Sequence, residues 1–215
     1  MLFIGIGFVF CTLVMMMQLH FLLNTRELGI ERHNVGAVVY CSENIPFKEI
    51  VSQIPEVSEC LNGFHTPIPK MFYSIYRVKE WDGKVADSEQ YIELEDETIN
   101  QDYADFFGVE VLNGSMLDEK DGKDMVVINE AAVKAFGWTQ PIGKKMGKLG
   151  KQCIVKGVIK NISYNAPIHP VAPAMFHLPD SRDRGGIIFK VKEGTWNIVS
   201  EKIKAEVNKV NPNAE

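Results

Sequence analysis

The residues that invite a chemical reading are few. They are the acidic run Glu93, Glu95, Asp96 and Glu97, the aspartates Asp118, Asp121 and Asp124, five histidines and one lysine-rich glycine loop. Paired carboxylates can bind a metal or exchange protons, but Glu93 and Glu95 alternate with Ile92 and Leu94, the pattern of a solvated strand face. No histidine neighbours them in sequence. The three aspartates have the acidity of a calcium loop without its twelve-residue ligand order. His20, His33, His65, His169 and His177 form no HExxH or HxH arrangement, and no GxSxG elbow is present. The loop Gly143-Lys144-Lys145-Met146-Gly147-Lys148-Leu149-Gly150-Lys151 looks phosphate-like. A P-loop, however, needs four residues between its glycines, then Lys and Ser/Thr opening a helix. Here three residues intervene, no hydroxyl follows Lys148 and an apolar run comes next, so nucleotide binding is rejected. A solvated hairpin that can touch an acidic partner or lipid headgroups remains. No catalytic, cofactor-binding or metal-binding residue is assigned, and no cofactor is expected.

Composition narrows the classes further. The chain of 215 residues, 46% of them hydrophobic, suits one or two domains with a real core. A net charge of −5 gives no global basic field for nucleic acid. Cys11, Cys41, Cys60 and Cys153 contain no CxxC and no metal spacing, so cysteine usage does not decide the redox compartment. Separate thiols are the simpler reading, with a Cys41–Cys60 pairing left open.

The elements that would have to position any site can be read in order. Met1 to Asn24 contains no charged residue, and Arg26 is the first charge. A helix there is about 36 Å long, enough for a bilayer core of about 30 Å. A signal peptide would show a basic start and a small-residue cleavage site, whereas Leu22 and Leu23 stand near its end. The segment 1–25 is therefore expected to be a transmembrane helix. A first β-α-β unit follows: a strand over 35–41, a helix over 46–54 capped by Asn44 and ended by Pro55, and a strand from Val57 to Phe64.

From about 67 to 183 the pattern changes to short strands, with an Asp82-Gly83 hairpin turn and a short helix from Ile99 to Phe107. Asp124 to Ile162 reads as strand, helix, turn and returning strand, with Asn129 as N-cap and Gly137 as C-terminal glycine. Prolines mark Pro170 to Pro179 as loop. A strand over 186–192 and a helix over 195–209, capped by Thr195, make a second β-α unit. Trp196, Val199, Ile203 and Val207 form its apolar stripe.

The expected fold class is α+β: an N-terminal transmembrane helix, then a split β-α-β, ferredoxin-like layer over 34–66 and 184–213, interrupted by a β-rich insertion over 67–183. The two strands should share one sheet, with both helices on a single face. The second unit lacks a closing strand before Glu215. The natural protein is expected to continue or to have been cut there, and an extended chain to be the more stable.

Several stretches together resemble a known family. They are Asp102-Tyr103-Ala104-Asp105-Phe106-Phe107-Gly108-Val109 leading to Leu112-Asn113-Gly114, then Val126-Val127-Ile128-Asn129-Glu130-Ala131-Ala132 and Pro141-Ile142-Gly143-Lys144. Val155-Lys156-Gly157-Val158-Ile159-Lys160-Asn161 completes the set, with Leu28-Gly29-Ile30 and Asn34-Val35 near the start. In this order they resemble the periplasmic core domain of MacB/FtsX-type ABC-transporter permeases, Bacteroidetes-like in variety. The resemblance implies a porter subdomain, the split layer, and a sabre subdomain, the insertion. It implies a bacterial inner-membrane protein whose domain faces the periplasm, with no enzymatic activity. A separate cytoplasmic ATPase would drive it, within a permease dimer and with a possible periplasmic or outer-membrane partner. The rival readings are an anchored enzyme or ligand-binding domain with an unrecognised site, and a passive interaction module.

Overall fold

The structure is a computed structural model that describes residues 2–23, 29, 31, 33–39, 47–62, 74–85, 90–148, 151–163, 170–179 and 186–210. The first element, α1 (Leu2–Leu23), is 22 residues long and carries no charged side chain. Its side chains are described from Gly7 to His20, and within that described stretch no helix is long and apolar enough to cross a membrane.

A three-stranded sheet comes next. The strands β1 (Val35–Val39) and β2 (Val57–Asn62) flank β12 (Gly186–Val191), and both pair antiparallel with it. The outer strands therefore run parallel to each other with one strand between them, which is a split β-α-β arrangement. Joining them is α2 (Phe47–Ser52), and α5 (Trp196–Val210) follows β12. Side chains alternate along β12. Ile187, Phe189 and Val191 pack with Val51 of α2, with Ile54 just beyond it and with Val199 and Ile203 of α5. Both helices thus lie on one face, and the two strands share one sheet, as their apolar stripes require. Thr195 does not cap α5 with its side chain. Its hydroxyl donates backwards to the Lys192 carbonyl at 2.7 Å. The cap at Asn44 falls outside the described residues.

The second sheet has nine strands. Its path runs β3 (Ile75–Val78), β6 (Ile92–Thr98), β11 (Ala174–His177), β8 (Met125–Asn129), β10 (Lys151–Ile159), β9 (Lys145–Lys148), β4 (Glu80–Trp81) and β5 (Lys84–Val85). The ninth, β7 (Val111–Gly114), pairs with β10. Two differences from the sequence pattern have a physical cause. Ala174–His177 is a central strand, not a loop, because β6 and β8 supply its backbone partners from distant sequence. The lysine-rich stretch is a hairpin, with Lys145–Lys148 antiparallel to the start of β10, but it is not wholly solvated, because Met146 within it is buried.

Both faces of this sheet are covered, so β8 reads as a continuous apolar run. Val126 and Ile128 pack with Ala132 and Phe136 of α4 (Glu130–Phe136) and with Trp138. Val127 faces the other way, towards Phe106 and Phe107 of α3 (Gln101–Phe107). The same cluster contains Ile188 of β12, so α3 is packed between the two sheets.

Candidate functional site

The acidic run lies on β6, inside the large sheet. Glu93 is exposed and pairs with Arg77 across the strand at 3.0 Å, while Arg77 sits over the Tyr91 ring. Glu97 is buried, since β6 lies between β3 and β11. The structure also brings a histidine to this run. His177 Nδ1 lies 3.0 Å from the Glu97 carbonyl oxygen, and its Nε2 lies 3.8 Å from Asp96 Oδ1. The second distance is too long for a hydrogen bond, so the contact is an ion pair only when the ring is protonated. The parallel β6–β11 pairing that creates it joins residues eighty positions apart, which no local motif shows.

Two of the three aspartates, Asp118 and Asp121, are engaged by the chain itself. Asp121 accepts from the Asp118 backbone N–H at 2.7 Å and from Lys156 Nζ at 2.5 Å. Asp118 Oδ1 accepts from the Lys120 N–H at 2.6 Å. The Asp118 amide, and after it the Lys156 ammonium, hold the Asp121 carboxyl below its usual range. The Asp121 carboxylate is thus neutralised by Lys156. In the basic loop, Lys144 Nζ pairs with Asp82 at 2.6 Å, and the other Asp82 oxygen accepts from the Trp138 indole at 2.5 Å.

Among the described residues, histidines and cysteines add no constellation. His20 lies in α1 and His33 is exposed ahead of β1, while His65 and His169 are outside the described residues. Cys11 is exposed, Cys153 is buried, and burial pushes the half-buried Cys60 thiol up. Cys41, and with it the question of its pairing with Cys60, is outside the described residues. Among the described residues no group of three His, Cys, Asp or Glu side chains converges to hold a metal.

What the structure does assemble is a junction. Ile188, with Leu61 and Val35 beside it, meets Phe106 and Phe107, which in turn meet Val127, Ile159 and Phe176 of the large sheet. At its rim lies a cleft of about 230 Å³ between Lys48, Leu61 and Asn62 on one side and Thr98, Asn100, Asp102 and Tyr103 on the other. Ligand sites usually measure roughly 300–1,000 Å³, so this one suits only a small group. Lys190 places its ammonium 4.6 Å from the Phe106 ring, tying the same two bodies. The pair Phe106-Phe107 was visible in sequence as the end of a short helix. Its bridging role was not, because the facing residue, Ile188, is about eighty positions away.

The remaining motif residues build helix ends. Asn129, 1% exposed, accepts from the Ala132 and Ala174 amides and donates to the Ala172 carbonyl. Asn100 caps α3, and Gly108 and Gly137 close α3 and α4 in left-handed geometry. These are positioning duties within the fold.

No family model matches the sequence, and no curated protein matches it. Among solved structures, the extracellular domain of the noncanonic ABC-type transporter YknZ from Gram-positive bacteria aligns with a TM-score of 0.51 and 14% identity. It covers 85% of this chain and 97% of that one. The periplasmic region of MacB from Actinobacillus actinomycetemcomitans aligns with a TM-score of 0.50 and 17% identity, covering 88% of each chain. A domain of a putative permease from Porphyromonas gingivalis aligns with a TM-score of 0.49 and 16% identity, over 78% of this chain and 76% of that one. The chain has the fold of a MacB-like periplasmic core domain, the fold of the YknZ and MacB extracytoplasmic regions.

Proposed function

We propose that this chain is the extracytoplasmic part of an ABC-transporter permease subunit, joined to its first membrane helix, and that it transmits motion without catalysing a reaction. The observation that carries the reading is the junction at Ile188, Phe106 and Phe107. It packs a split β-α-β sheet onto a second sheet, in a chain whose fold matches transporter domains. Two sheets joined through one buried helix can pass a displacement from one to the other, because packed cores resist continuous deformation.

The anchor is α1. At 22 residues it is about 33 Å long, against about 30 Å of hydrocarbon. Phe8, Phe10, Leu13, Met15, Met16 and Met17 are each more than half exposed, a surface that lipid or partner helices would cover. The domain would then face the periplasm from a bacterial inner membrane. A separate cytoplasmic ATPase would supply the energy, since this sequence carries no Walker motif. A permease dimer and a periplasmic or outer-membrane partner complete the reading.

The test is to tag the chain in its native genetic context and isolate it from membranes in mild detergent. An ATPase with Walker motifs recovered in near-equal amount supports the proposal. A membrane-extracted chain free of any ATPase argues against it. The cleft at Lys48 and Asp102 favours the second reading, an anchored ligand-binding domain, which would show saturable binding of a small polar ligand in the absence of any ATPase.

A further inference from the structure

Five residues separate the end of α1 from Gly29, so Gly29 lies within about 20 Å of the helix end. Gly29 is pressed against the chain at Asn161. A Cβ there would overlap the Asn161 carbonyl oxygen, and φ is +78°. The Glu31 amide donates to the Phe107 carbonyl at 2.8 Å, at the end of α3. The Asn34 carbonyl, in a residue with φ +56°, accepts from the Val191 amide at 2.8 Å, at the end of β12. The chain leaving α1 therefore touches the large sheet, the bridging helix and the small sheet before β1 begins.

Asn161 is not a passive neighbour. Its side-chain oxygen accepts from the Ala131 amide at 3.0 Å, and its own amide donates to Glu130 Oε2 at 3.0 Å. This reciprocal pair holds the first turn of α4. The next residue back, Asn129, fixes the entry to β11 through the Ala172 carbonyl at 2.8 Å and the Ala174 amide at 3.0 Å.

We propose that Gly29, Asn161, Glu130 and Asn129 form a relay that couples the position of the chain leaving α1 to the first turn of α4 and the start of β11. Displacing Gly29 moves the Asn161 backbone, and that loosens both hydrogen bonds of the Asn161–Glu130 pair. The inference rests on the transporter reading for its purpose, though not for its geometry. The coupling must also be reciprocal, since two linked equilibria shift each other by the same factor.

Amide hydrogen exchange on the full chain in detergent micelles tests this. In Gly29→Ala, exchange at Glu31, Asn161 and Ala131 should accelerate together, roughly 5- to 150-fold, the span of ordinary coupling. The distant amides of Tyr76 and Leu94, in the β3–β6 pair, should keep their rates. In Asn161→Ala, the Glu31 amide should accelerate by a similar factor, although its own acceptor, the Phe107 carbonyl, is untouched. Acceleration at Glu31 alone in Gly29→Ala, or an unchanged Glu31 in Asn161→Ala, would overturn the relay. If Gly29→Ala loses protection everywhere, Asn161→Ala decides alone. Neither outcome depends on an ATPase, so failure here and failure to recover an ATPase are separate results.

Discussion

Trp138 and Asp82 are bonded across fifty-six residues: the indole N–H donates to Asp82 Oδ2 at 2.5 Å. Asp82 is the first turn residue of the β4–β5 hairpin and has φ +52°, followed by Gly83 at +70°. Those are the signs a type I′ turn requires, and they match the right-handed twist of the strands. The bond fastens this hairpin to the end of α4, where Phe136 stacks on Trp138 at 4.2 Å and meets Trp81 edge-on.

Asp82→Ala should therefore destabilise the chain by about 1–3 kcal/mol, because it leaves the indole donor of a buried tryptophan without its acceptor. Asp82→Asn, which tolerates the left-handed conformation and keeps an acceptor, should cost less. Urea unfolding of the two variants checks the order. Equal losses would mean that the ion pair with Lys144 dominates.

Gly36 faces the stack of Phe189 on Trp196, whose rings lie 6.3 Å apart. A Cβ at Gly36 would come 2.5 Å from Phe189 Cζ and 2.7 Å from Trp196 Cη2. Gly36→Ala is expected to cost about 1–3 kcal/mol through forced repacking. Thermal unfolding measures the loss, and a change in near-ultraviolet dichroism shows that the rings have moved.

Ile188 is 1% exposed and packs towards α3, while its neighbours in β12 pack towards α5. Ile188→Ala should cost about 2–5 kcal/mol. It should also raise amide exchange in both sheets, which a cavity confined to the small sheet would not do.

Acid should weaken the fold through two carboxyls. The Asp118 amide, then Lys156, holds Asp121 below its ordinary value of 3.8, and Lys202 holds Glu56 below 4.5. A depressed carboxyl gives stability that is complete above its unfolded value and is lost as pH falls through the folded one. Unfolding free energy should thus not vary with these groups near neutrality and should decline below pH 4.5. In Asp121→Asn the decline should be shallower.

Local signals were legible in the sequence where local physics decides. Asn129 and Gly137 bound α4 because a side-chain acceptor and a left-handed glycine serve helix ends whatever surrounds them. The Asp82-Gly83 turn is of the same kind. The order of strands was not legible. Nothing near Ala174 says that β6 and β8 will flank it, and the prolines on either side point to loop. Glu93 and Glu95 read as a solvated face, and Glu93 is exposed, but for the same reason the burial of Glu97 and the approach of His177 to Asp96 were not legible. The junction at Ile188 is the extreme case. Its partners come from three separate stretches, and only the pairing of β12 between β1 and β2 turns Ile188 towards them.

The most direct measurement of the central claim is sidedness. A single exposed cysteine placed on α4 by Lys134→Cys, in a chain carrying Cys11→Ser, Cys41→Ser and Cys60→Ser with Cys153 left buried, would be treated with a membrane-impermeant maleimide on intact spheroplasts. The account predicts full labelling without lysis and recovery of the labelled chain in the membrane fraction. Labelling only after lysis, or a labelled chain that stays soluble, would contradict it.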